Sequence, residues 1–246
     1  MSLTTAHYCI AKIVGPENIE PLESAIVAEE IRNRWRPKIV RVLLLAESHV
    51  WTPRDELNSR VSFRGREQSN FVRLVYCLGY GEPSIVNPRI DSSGTPQFWR
   101  LFQDCLESPK SGRKKLRGED RIACKLNLLE RLREAGIWLV DASITGLYHN
   151  GWKISGKMYD AAINASWDSY VGSIVREASP TAVLVIGKTV RKVLGEKIEA
   201  AANYAKIEVI SAPNARLEKG ELMEERKRCY DFCSQFSFER TDPYIG

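Results

Sequence analysis

The sequence predicts an α/β fold, a three-layer sandwich with a central, mostly parallel four-stranded sheet flanked by helices, formed by residues 1–246 as a single domain. Three observations carry that expectation. Four short apolar runs read as strands: VRVLLLA (Val40 to Ala46), IWLVDA (Ile137 to Ala142), AVLVIG (Ala182 to Gly187) and IEVISA (Ile207 to Ala212). Three of them lack polar alternation, as strands covered on both faces do. Helical patterns separate the later runs, and strands alternating with helices call for right-handed crossovers and a largely parallel sheet.

Each helix has its own signal. LNLLERLREAG keeps apolar residues at helical spacing and stops at Gly136, directly before the second strand. SWDSYVGSIVREASP is amphipathic and ends at Pro180, directly before the third. KTVRKVLGEKIEAAA follows the third strand, and residues 220–236 close the chain as a helix rich in Glu and Lys. From Asn58 to Gly118 periodicity weakens and Gly, Pro and Ser accumulate, which predicts short helices joined by long loops, folded over the same sheet edge. Ligands of open α/β sheets sit outside the carboxyl ends of the strands. Four places are therefore singled out: Glu47 to Pro53, Asp141 to Trp152, Gly187 to Thr189, and Pro213 to Leu217.

Composition narrows the class. Apolar residues make up 43% of the 246 and charged residues 27%, which excludes wholesale disorder. No run approaches the roughly 18 apolar residues that cross a bilayer, so no membrane partner is expected. The opening MSLTTAHYCIAKIVG lacks a basic head followed by an apolar stretch, and a cytoplasmic location is expected. The six cysteines include no C-x-x-C pair and read as buried thiols. Cys229 and Cys233, four apart, share a helical face, but two ligands do not close a zinc site, so no metal is expected. The net charge of +5 suits a polyanionic partner without demanding one. Arg113, Lys114, Lys115, Arg117 and Arg121 crowd one segment, read equally well as a solvated loop or as a phosphate contact.

Two stretches imitate nucleotide-binding loops. VLVIGKT ends in Gly-Lys-Thr, but the residues before Gly187 belong to the strand, leaving no loop to wrap a phosphate. GWKISGK has better spacing, yet Met158 stands where a magnesium-binding hydroxyl belongs. Neither predicts an NTPase, and no cofactor is expected.

Three further segments belong together: VLLLAESHVWTP after the first strand, SFRGREQSNFVRLV beyond it, and VISAPNARL at the last. In this order and spacing the chain resembles the uracil-DNA glycosylase superfamily, as a divergent member closest to the branch with a Gly-Glu-Ala-Pro-Gly first motif. Ala46-Glu47-Ser48-His49 takes the place of that motif, Phe63-Arg64-Gly65 that of the aromatic segment, and Ala212-Pro213-Asn214 that of His-Pro-Ser. The paired N-terminal cysteines that serve an iron–sulfur cluster in that branch are missing, since Cys9 stands alone.

The resemblance implies DNA as partner and hydrolysis of an N-glycosidic bond to a damaged or deaminated base, flipped from the stack. It implies Glu47 as the carboxylate that activates water, with His49 or His149 replacing the donor lost at Ala212. Ser48, Phe63, Asp141 and Ser143 are the expected base-binding residues, with Phe63 as stacking platform. Pro213, Asn214, Arg216 and Leu217 are the expected DNA contacts, with Arg216 or Leu217 filling the vacated space. Asp141 stands where uracil enzymes tend to carry Asn; an ionised carboxylate only accepts hydrogen bonds and favours a base with an amino group. Two other readings stay open: a non-catalytic nucleic-acid- or nucleotide-binding module on the same fold, and an unrelated small-molecule enzyme.

Overall fold

A computed structural model describes residues 2–90, 94–109, 116–149 and 152–237. Helices α1 (Leu3–Val14) and α2 (Leu22–Arg34) precede strand β1 (Val42–Ala46). Helix α3 (Arg54–Leu57) leads to strands β2 (Arg60–Phe63), β3 (Arg66–Asn70) and β4 (Val86–Asn87). Helices α4 (Pro96–Leu106) and α5 (Gly118–Glu134) follow, then β5 (Ile137–Asp141), β6 (Tyr148–His149) and β7 (Trp152–Lys153). Helices α6 (Gly156–Ser166) and α7 (Gly172–Ala178) are joined by one π-helical turn, and β8 (Ala182–Ile186), α8 (Lys188–Ala201), β9 (Lys206–Ile210) and α9 (Lys219–Phe236) complete the chain.

The four sequence-predicted strands form one sheet in the order β5-β1-β8-β9, and every pairing is parallel. Their composition explains it. β1, β5 and β8 are buried at every position, so branched apolar residues cover both faces, while edge strand β9 keeps Lys206 exposed. One helical layer holds α1, α6, α7 and α8; the other holds α4, α5 and α9. Gly136 ends α5 with φ 75°, a turn that an L side chain resists.

This order brings together strands whose crossovers leave in opposite directions. From β1 the chain crosses to β5 on one side, then returns past β1 to β8 and on to β9. A crevice opens where such a reversal occurs, outside the carboxyl ends of the two central strands. Here it lies between Glu47, after β1, and Gly187, after β8.

Residues 58–118 correct the expectation of short helices and loops. They hold a second, antiparallel sheet in the order β3-β2-β4, along with α4. Phe63-Arg64-Gly65 is its hairpin turn: Arg64 and Gly65 have φ of 52° and 72°, the signs of a two-residue type I′ connection. Val50 N donates to Arg73 O at 3.2 Å, which holds part of the segment against the loop after β1. Of the basic cluster, Arg113, Lys114 and Lys115 lie outside the described residues.

Candidate functional site

A cavity of about 480 Å³ occupies the crevice, within the size range of small-molecule sites. Glu47, Ser48 and His49 line it from the end of β1, Asp141 from β5, Gly187 to Val190 from β8 and α8, and Ser211 to Ala215 with Leu217 from the end of β9. The four strand ends singled out in the sequence therefore share one space. Leu74, Val75, Tyr80 and Phe98 close it from the overlying segment.

Backbone bonds extend the ladder beyond β1 and β5, which fixes Glu47. Ala142 N donates to Ala46 O at 2.8 Å, and Ser143 N donates to Glu47 O at 2.9 Å. Trp51 N then donates to Tyr148 O at 3.4 Å, bringing the two loops into contact at Gly146. A Cβ on Gly146 would meet Trp51 N at 2.4 Å and Trp51 Cα at 2.6 Å. These are backbone atoms that cannot swing aside. Gly146→Ala is expected to force the loops apart and cost about 1–3 kcal/mol, read as a lower urea midpoint.

Glu47 itself is half-buried at the cavity wall. The Tyr159 phenol from α6 lies beside it, and burial together with the Glu47 carboxylate pushes that phenol above its ordinary pKa. Tyr159 therefore stays a neutral donor next to the carboxylate. Sequence reading missed it because Tyr159 falls in an amphipathic helix, where a tyrosine at core spacing carries no separate signal.

Behind the wall runs a buried chain of charges, most of it unforeseen. His49 Nε2 lies 2.6 Å from Glu20 Oε1, and His49 Nδ1 lies 3.5 Å from Asp141 Oδ2. Arg32 donates to the same Asp141 oxygen at 2.8 Å and to Glu29, whose other oxygen accepts from Tyr170 at 3.3 Å. Glu20 Oε2 also accepts from Thr52 N at 3.2 Å, tying the chain to the loop after β1. All four carboxylate and guanidinium residues and His49 are buried. Glu29 and Arg32 sit three apart on α2, a pair that sequence reads as an ordinary surface salt bridge.

The chain sets ionisation states. Burial opposes the His49 imidazolium, but Glu20 and Asp141 overcome that penalty and raise its pKa to about 9. Burial likewise opposes the Asp141 anion, and Arg32 with His49 holds it below the ordinary carboxylate value. A pKa raised on folding gives stability that is complete below the unfolded value near 6.5 and lost as pH rises through the folded one near 9. Stability should thus fall by up to about 3 kcal/mol between those limits. Thermal unfolding across this range, compared with His49→Gln, checks it: the variant should lose the slope. The Asp141 contribution runs the other way and disappears in acid, below the ordinary carboxylate pKa.

The sequence-predicted residues divide clearly. Glu47, Ser48, His49, Asp141, Pro213, Asn214 and Leu217 line the cavity; Phe63, Ser143 and Arg216 are not among its lining residues. Phe63 alternates inward with Val61 on β2 and is buried beneath Arg64, whose guanidinium lies 5.1 Å from its ring centroid. Its expected place as an aromatic wall is taken by Tyr80, Phe98 and Tyr148. Ser143 is a buried brace, its Oγ donating to Thr145 O at 2.9 Å. Arg216 is exposed at the tip of the last loop, while Leu217 is half-buried. His49 directs both ring nitrogens at carboxylates rather than into the cavity, which makes it a positioning residue. The side chain of His149 lies outside the described residues.

One feature discounted as a nucleotide loop does face the cavity. Helix α8 begins directly at Lys188, with Gly187 at φ 111° as its cap and no side-chain oxygen capping its first amides. Its positive end and the exposed Lys188 and Thr189 border the same space as Glu47. A scan against protein-family models finds no match, and a search of the curated proteins finds none. Among the described residues no helix is long and apolar enough to cross a membrane.

Proposed function

We propose that the cavity receives a single-stranded or flipped-out nucleic-acid base and that the protein hydrolyses its N-glycosidic bond. The supporting observation is the convergence of Glu47, the α8 N-terminus with Lys188, and Asn214 on one base-sized space. Breaking an N-glycosidic bond separates charge: a cation grows on the sugar and an anion on the departing base. Glu47 answers the first and can accept a proton from the attacking water. Helix α8 and Lys188 answer the second, standing in for the donor that Ala212 lacks. Tyr80, Phe98 and Tyr148 offer ring faces, worth roughly 1–3 kcal/mol per stacked base. The acceptor-only Asp141 carboxylate favours a base presenting an amino group.

Incubation with oligonucleotides carrying uracil, hypoxanthine or xanthine, or a methylated adenine or cytosine that keeps its amino group, followed by chromatography of released base, tests this reading. Base release that vanishes in Glu47→Gln supports it. Binding should also weaken steeply with salt between about 50 and 200 mM. No release and no binding to single strands or mismatched duplexes at low salt removes it.

The second reading, a non-catalytic base-binding module, has one observation in its favour: Ala212 lines the cavity where the resembled superfamily places a histidine. It requires binding at low salt without release of any base.

A further inference from the structure

We propose that Cys105, Cys229 and Cys233 form a buried three-thiolate site for a thiophilic d10 metal ion such as copper(I) or zinc(II). The three Sγ atoms all lie within 4.8 Å of one another, and those of Cys105 and Cys229 are 3.6 Å apart. Three sulfurs bound about 2.3 Å from a common ion stand about 4 Å apart, so little movement separates this triangle from a ligand set. Helix α9 supplies Cys229 and Cys233 from consecutive turns on the face packed against α4, and the last turn of α4 supplies Cys105.

The chemistry of the donor set narrows the guest. Sulfur-only coordination selects soft cations, and the group found among the described residues contains no histidine or carboxylate. All three thiols are buried, which disfavours the hydrated ions that oxygen sites take. Binding exchanges protons for the ion with no redox change: three Cys–SH groups plus the cation give the tris-thiolate complex and three protons. Arg226 donates to Asp104 at 2.7 and 2.9 Å and so offsets the charge of the buried carboxylate next to the triangle.

Occupancy would staple α9 to α4 close to the functional cavity. Glu225 of α9 accepts from Ser211 N at 3.1 Å and from Ser211 Oγ at 3.3 Å, which anchors the loop carrying Pro213 and Asn214. A metal in the cysteine triangle therefore stiffens the wall from which those residues reach the cavity.

The full chain, reduced and stripped by chelator, is titrated with cadmium(II) as optical probe, then with copper(I) and with zinc(II). Expected are one equivalent per chain, a sulfur-to-metal charge-transfer band, a higher unfolding temperature, and metal-dependent protection of these three thiols from alkylation in partly denaturing urea, where buried Cys77 reacts with or without metal. Cys105→Ser, Cys229→Ser and Cys233→Ser should each lower affinity by more than the roughly 10–100-fold that losing an outer-shell partner costs, while Cys77→Ser leaves it unchanged. Alkylation mapping on the unaltered protein guards against variants that fail to fold. Absence of the band, or metal-dependent protection of thiols other than these three, overturns the site.

Discussion

Glu47→Gln is expected to lower base release by about 10²- to 10⁴-fold while leaving oligonucleotide affinity within a few-fold of the parent. The substitution keeps shape and removes charge, so the half-buried wall stays packed. Under the proposed function, what disappears is the acceptor for the water proton and the anion facing the sugar cation. Neutral Tyr159 beside position 47 can still donate to the amide oxygen, which preserves the local fold. Glu47→Asp separates charge from reach: it keeps the carboxylate but withdraws it by one methylene, and partial activity is the expected outcome. Equal losses of binding and release in Glu47→Gln would instead assign Glu47 to holding the nucleic acid, not to chemistry. The readout is single-turnover release alongside fluorescence anisotropy.

The second large effect concerns stability. Arg32→Met should destabilise the fold by about 3–5 kcal/mol, because it leaves the Glu29 and Asp141 carboxylates buried without their shared cation. Losing that cation also lifts Asp141 toward its protonated form, and the constraint on His49 slackens with it. Restoring neutrality should recover much of the loss. A triple variant, Glu29→Gln, Arg32→Met and Asp141→Asn, is expected to be more stable than Arg32→Met alone, since replacing an entire buried ionic group costs far less than breaking it. Urea titration of the three proteins at one pH gives the comparison. A triple variant no better than the single one would mean that packing of the Arg32 stem, and not its charge, holds α2 to the sheet.

That chain of charges also marks the boundary of what the sequence discloses. The sheet was legible because strands buried on both faces must be apolar throughout, as Val42–Ala46, Ile137–Asp141 and Ala182–Ile186 are, apart from the terminal Asp141. The ends of β1 and β8 were legible for the same reason, since continuous burial stops at Glu47 and at Gly187, whereas after β5 it continues through Leu147. Helices α1 and α2 went unassigned, and with them Glu20, Glu29 and Arg32, because a buried ion pair and an exposed one look alike along a chain. Phe63 was misplaced because an aromatic before Arg-Gly suits both a ligand loop and a hairpin turn, and only pairing of β2 with β3 decides between them. Cys105 lies 124 residues from Cys229, a separation at which spacing carries no information about contact. The four cavity-forming strand ends were found by topology; the residues behind them required the third dimension.

The most direct measurement is where a bound base sits. A single-stranded oligonucleotide bearing one 5-iodouracil, irradiated in complex with the protein, reports its neighbours through peptide mass spectrometry. The expected crosslinks fall on Tyr80, Phe98 or Tyr148, the rings that border the cavity, and are lost on competition with unlabelled strand. Crosslinks confined to the hairpin around Phe63 or to surfaces away from the β1 and β8 ends would contradict a base-receiving cavity.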